Sequence, residues 1–189
     1  MRIAIATLIG GLALFLWGAF AHMVLPLGEM SMRAPLAEDP VIAALKQGLP
    51  AEQGIYVLPH FDPSMHADKE ALATFSAKTR SNPYAFIVYA PEGRDPMAMG
   101  PQLAGQWLSD TLGVLIFTLV LFRYGASVPR GVTLGLAIGV IAWLSLSVPF
   151  WNWYRFPAAF TFGYLIEQAF GWAFAGAVSG WWLSRKKKT

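Results

Sequence analysis

Between Val132 and Phe150 the chain reads VTLGLAIGVIAWLSLSVPF, without a single charged residue. A helix of about 20 apolar residues crosses the hydrocarbon core of a bilayer, so this run has the length and composition of a membrane span. Three more stretches match it: Ile3 to Leu25, Leu103 to Phe122 and Ala158 to Leu183. The expected fold is an all-α membrane bundle of four transmembrane helices, over 3–25, 103–122, 132–150 and 158–183. Composition points the same way, with 56% hydrophobic, 14% aromatic and only 13% charged residues, which describes a chain dissolved mostly in lipid. The net charge of +3 sits at span ends and not on one soluble face, which argues against nucleic acid as a partner. There is no cysteine, so disulfides, thiolate nucleophiles and cysteine-bound metals are excluded.

Arginine and lysine beside short loops set the orientation. Arg2, the Arg123 to Arg130 turn and the basic tail over 184–189, with Arg185, Lys186, Lys187 and Lys188, carry seven positive charges and no acid. All three belong on the cytoplasmic side, so both termini are inside. Residues 26–102 hold nine acids against six bases and belong outside. Trp107, Trp151, Trp153 and Tyr154 then mark the outer boundary, and Tyr124, Trp181 and Trp182 the inner one. The tail is an orientation signal with some attraction for anionic membrane lipids. Ala19-Phe20-Ala21 imitates a signal-peptide cleavage site before His22, but the apolar run continues to Leu25 and reads as a true span.

Residues 26–102 are too many for a turn and alternate helical with extended signals, giving a small α/β extramembrane domain between helices 1 and 2. Asp39-Pro40 caps a helix carrying Val41, Ile42 and Leu45, which ends at Gly48. Ile55 to Leu58 is a short strand, a second helix runs from Ser64 or Ala67 to Lys78, and Tyr84 to Tyr89 is the clearest strand in the chain. Strand, helix and strand in that order fit a parallel crossover. Two strands do not make an independently stable sheet, so this domain needs support from elsewhere.

Gly131, Gly135 and Gly139 form overlapping G-x-x-x-G steps, repeated by Gly176 and Gly180, and mark faces where helix backbones approach closely within the bundle. Ionisable groups at membrane depth are costly and seldom face lipid. Glu167 stands nine residues past Ala158, near the midplane, with no obvious basic partner. Asp110 lies one to two turns inside span two, within reach of His22 or Arg155. Glu167, Asp110 and His22 form a candidate intramembrane polar site. No catalytic order is spelled out: Ser64 lies in no G-x-S-x-G elbow, and Ser109 beside Asp110 lacks a local base. His60, Asp62 and His66 match no standard zinc spacing. Met23, Met30, Met32, Met65, Met97 and Met99 are scattered gap-fillers without a repeated thioether array. No cofactor or metal is expected.

The first span and its exit, from Gly10-Gly11-Leu12 through Trp17-Gly18 to His22-Met23-Val24-Leu25-Pro26-Leu27-Gly28-Glu29, resemble the opening of a family of uncharacterised bacterial inner-membrane proteins. So does the outer turn from Pro149 to Pro157. The resemblance covers both ends of the chain, and the outside domain only loosely. It implies a bacterial inner-membrane location, four spans and a small periplasmic insertion over 26–102, and no activity. Trp151, Asn152, Trp153, Tyr154 and Arg155 form a candidate outer-face binding turn. The function expected from these features is a non-enzymatic inner-membrane protein acting through protein contacts, as a homo-oligomer or as an accessory subunit with a membrane-protein partner. The alternative is a lipid or small hydrophobic solute binding or transport protein using an outer-leaflet pocket.

Overall fold

The computed structural model describes residues 1–185. The elements run α1 (Arg2–Met23), α2 (Glu38–Gly48), β1 (Gly54–Leu58), a 3₁₀ turn (Pro63–Ala67), α3 (Lys69–Ser81), β2 (Ala85–Tyr89), α4 (Gly100–Arg123), α5 (Val128–Ala142), a π-helical turn (Trp143–Ser147), α6 (Val148–Tyr154) and α7 (Ala158–Ser184). They fall into two compact units, residues 34–96 and the remainder.

Three helical stretches of the larger unit are long and apolar enough to cross a membrane: Arg2–Met23, Gly100–Arg123 and the continuous run Val128–Tyr154. The fourth expected span, α7, has 27 residues and the length to do so. It falls outside that set on composition, since Glu167, Gln168 and its glycines dilute the apolar average.

The chain between α4 and α5 shows how local chemistry makes this helix turn. Gly125 takes a left-handed conformation, φ 87°, which glycine adopts without steric cost. The Ser127 hydroxyl accepts from the Arg130 amide at the start of α5, and Pro129 sits in the first turn where its missing N–H costs nothing. The Arg130 guanidinium donates to the Gly125 carbonyl at 2.9 Å, placing positive charge at the end of α4 where the helix dipole favours it. Farther along, Pro149 has no amide hydrogen and its ring crowds the preceding turn. There the helix widens, with Val148 N–H reaching back to the Trp143 carbonyl, while Ser145 Oγ donates to the Ile141 carbonyl at 2.7 Å.

Packing in this unit centres on α7. Gly131, Gly135 and Gly139, four residues apart and therefore on one stripe of α5, lie against the α7 backbone at Gly176, Trp172–Ala173 and Gln168–Ala169 respectively. A methyl group at any of the three would strike backbone atoms. Gly180 meets Ser127 and Val128 in the same way. α1 runs antiparallel to α7, from Arg2, which donates to the Leu183 carbonyl, through Ser179 Oγ on the Ala6 carbonyl, to Trp17 Nε1 on the Glu167 carbonyl at 2.9 Å. Its other face meets α4, Gly11 lying against Thr111 and Gly10 against Val114. The buried core, Ala6, Phe117, Leu121 and Leu183 with Trp172 and Trp182 beside it, occupies the end of the bundle near Arg2.

Within the smaller unit, α2 begins one residue before the expected Asp39 cap, with Ala37 at the N-cap position and Glu38 and Asp39 in the first turn. α3 begins at Lys69, later than expected, because Asp68 is the cap: one carboxylate oxygen accepts from both Glu70 N and Ala71 N at 2.9 and 3.0 Å. The strands pair antiparallel, with Gly54 opposite Tyr89, Ile55 opposite Val88 and Leu58 opposite Ala85. The parallel crossover is therefore incorrect. A parallel pair requires cover on both faces, and one helix supplies too little; an antiparallel ribbon tolerates a solvated face. The connection from 59 to 84 is long enough for the chain to return in either sense. Ile55 and Val88, cross-strand partners, are 65% and 71% exposed. No residue from 34 to 96 is buried.

Candidate functional site

His22 and Glu167 come together at the last turn of α1. The imidazole Nε2 lies 3.4 Å from Glu167 Oε1, with side-chain exposures of 44% and 11%. Two further contacts hold the pair. Trp17, just over one turn before His22, bonds to the main chain of Glu167, and the His22 ring lies directly against the backbone at Gly28, where any side chain would displace it. The segment after α1 folds back to allow this, with Leu27 N–H on the Ala21 carbonyl at 2.9 Å and the Leu27 carbonyl resting on Gly163 of α7. The second carboxylate oxygen, Glu167 Oε2, is buried and has no hydrogen-bond partner among the described residues.

One sequence expectation changes here. Glu167 has a basic partner, His22, which had been placed within reach of Asp110. Contacts with α1 give a common scale: Glu167 is level with Trp17 to His22, close to one end of that helix, whereas Asp110 adjoins Thr111 and is level with Gly11, about nine residues or 14 Å from Arg2. Glu167 therefore lies nearer the Met23 end of α1 than Asp110 does. Asp110 accepts from Gln106 Nε2, one turn earlier on α4, at 2.9 Å.

A separate cleft of about 330 Å³ opens between the π-helical turn with α6 on one side and α7 on the other. Phe150, Phe156 and Phe160 line it with Ala142 and Leu146, and Ser147, Thr161, Tyr164 and Gln168 bring polar atoms. The rings follow one another, Phe150 to Phe156 at 5.2 Å, Phe156 to Phe160 at 5.5 Å and Phe160 to Tyr164 at 4.9 Å between centroids. Trp143 Nε1 donates to the Thr161 carbonyl at 2.7 Å and fixes one wall to the other. Neither Asp110 nor Glu167 lines this cleft.

Trp151, Asn152, Trp153, Tyr154 and Arg155 are exposed around the end of α6 and do not line the cleft. Arg155 is left-handed, φ 57°, and Phe156 N–H bonds back to the Phe150 carbonyl at 3.3 Å, which is how that turn lays Phe156 over Phe150. In the insertion, Asp62 caps the 3₁₀ turn through Ser64 N at 2.9 Å, and that backbone hydrogen bond holds its carboxyl below the usual carboxylate range. His66 lies edge-on to Phe61 at 4.8 Å. Among the described residues no three His, Cys, Asp or Glu side chains group as metal ligands. Lys186, Lys187 and Lys188 lie outside the described residues. Comparison with protein-family models, curated proteins and solved structures finds no match to this chain.

Proposed function

We propose that this chain is a four-span inner-membrane protein that works through protein contacts made by its insertion, either with further copies of itself or with the subunits of a larger membrane complex. One observation carries the reading: residues 34–96 have no buried side chain, and an apolar pair, Ile55 with Val88, is presented on an antiparallel ribbon of two strands. A ribbon of that size is marginal alone, and an exposed apolar surface marks a contact site. The length of α7, its packing along α1 and α5, and the distribution of Arg and Lys support four spans with both termini cytoplasmic and the insertion periplasmic. Native mass spectrometry after gentle extraction tests the contact reading. Wild type is expected as an oligomer or with a partner, and Ile55→Ser with Val88→Ser as a monomer; a wild-type monomer without partners overturns it. Reporter fusions within 34–96 and after Arg185 test the topology, the first active only outside and the second only inside.

A second reading has its own support in the cleft between α6 and α7: binding of a lipid or small hydrophobic solute. Its volume and largely apolar lining with a few polar groups are those of a small-molecule site.

A further inference from the structure

Three polar side chains on the cleft, the Ser147 hydroxyl, the Tyr164 hydroxyl and the Gln168 amide, have no hydrogen-bond partner among the described residues. The Ser147 group arrives through the π-helical turn, a widening that recurs at functional sites. Tyr164 and Gln168 are one turn apart on α7 and share a face. Donors in an apolar setting are costly unless something accepts from them. A saturated acyl chain offers no acceptor and leaves all three unsatisfied. The ring sequence Phe150, Phe156, Phe160 and Tyr164 adds a second requirement, since such walls favour a flat unsaturated body that stacks offset or edge-on.

We infer that the cleft between α6 and α7 binds a membrane-soluble quinone, its ring among the phenylalanines and its carbonyl oxygens accepting from Gln168, Tyr164 and Ser147. This rests on the second, solute-binding reading and gives it a chemical class. The molecule would enter laterally from the lipid, the phase in which both partners already reside. The ring carbonyls distinguish it from every purely hydrocarbon occupant, because only they answer the three donors.

The test uses the full chain in phospholipid nanodiscs and a photoreactive short-chain benzoquinone, with labelled peptides mapped. Saturable labelling concentrated between residues 142 and 168 is expected, displaced by unlabelled short-chain benzoquinone and not by an alkylbenzene of the same tail without carbonyls. Gln168→Leu should weaken competition roughly tenfold, the loss of one hydrogen bond of about 1.4 kcal/mol. Ser147→Phe should abolish cleft labelling by occupying the space. Thermal melting checks that both variants fold, and if Ser147→Phe does not, Gln168→Leu decides alone. Displacement by the alkylbenzene as effective as by the quinone, or unchanged affinity in Gln168→Leu, overturns the quinone assignment and leaves the solute-binding reading standing. Labelling spread evenly over the lipid-facing helices overturns both.

Discussion

The helical unit and the insertion solve the problem of cohesion in opposite ways. In the first, α5 and α7 meet backbone to backbone along glycines, and α7 also carries α1, so its contacts are satisfied within one chain. In the second, five-residue strands pair only with each other and no side chain from 34 to 96 is buried. An interior built from close helix approach needs small residues at a few positions, whereas a ribbon of alternating apolar residues needs a surface to lie against. The same chain therefore holds one unit packed through close helix contacts and one whose apolar strand pair stays exposed.

The largest effect that would break this contrast is at the glycine stripe. Gly135→Val places two methyl groups against the Trp172 and Ala173 backbone, and overpacking of that kind costs about 3 kcal/mol. Unfolding in mixed micelles should show the loss, while association through the insertion stays intact in whatever fraction folds. Glu167→Leu comes next. It leaves the His22 imidazole without its partner, a loss of about 1–3 kcal/mol for an unsatisfied polar group, measurable by the same method. Glu167→Gln retains an acceptor for His22 and should stay within about 0.5 kcal/mol of wild type. If Leu and Gln behave alike, the pair contributes nothing to the helical unit.

Two smaller effects sharpen the other side. Ile55→Ser with Val88→Ser removes exposed apolar surface, and should change intrinsic stability by no more than about 0.5 kcal/mol while abolishing association; a marked loss of monomer stability would show that the ribbon is self-supporting. The smallest effect is a pH dependence at Asp62. Its carboxyl is depressed in the folded state by the Ser64 amide, so the stabilisation is present above the ordinary carboxylate range and fades as pH falls through the folded value. Protection of the Ser64 amide, its exchange relative to the intrinsic rate at the same pH, should fall with acid in wild type and be low at all pH values in Asp62→Ala.

How much of this was legible varied with the range of the interaction. The stripe of Gly131, Gly135 and Gly139 repeats every four residues, which is the spacing of one helix face, so its role could be read locally. Both strands and the end of α2 at Gly48 were marked by β-branched runs, prolines and glycine. Asp68 was readable in principle as a cap, yet the neighbouring helix-compatible residues Ser64 to Ala67 obscured the start of α3. The His22 to Glu167 pair depended on where α1 and α7 lie along each other, and on the chain turning at Gly28 to lie over Gly163; neither is a local property. The cleft lay between these cases. Phe160, Tyr164 and Gln168 are four apart, and Pro149 interrupts an otherwise helical run, so one polar and aromatic face and one distortion were both visible, but not that they oppose each other.

Arg2 donates to the carbonyls of Leu183 and Arg185, in the latter case at 2.7 Å, and this ties the assembly of the helical unit to the order of synthesis. At about 5–20 residues per second, the 181 positions separating Arg2 from Leu183 take roughly 9–36 seconds to translate. Throughout that interval α1 has left the ribosome without α7, and the insertion has emerged before any of α4, α5 or α7. The packing of α1 along α7 must wait until α7 has been made. Arg2 and Ala6, which meet Leu183 and Ser179, are then the parts of α1 longest deprived of their final neighbours.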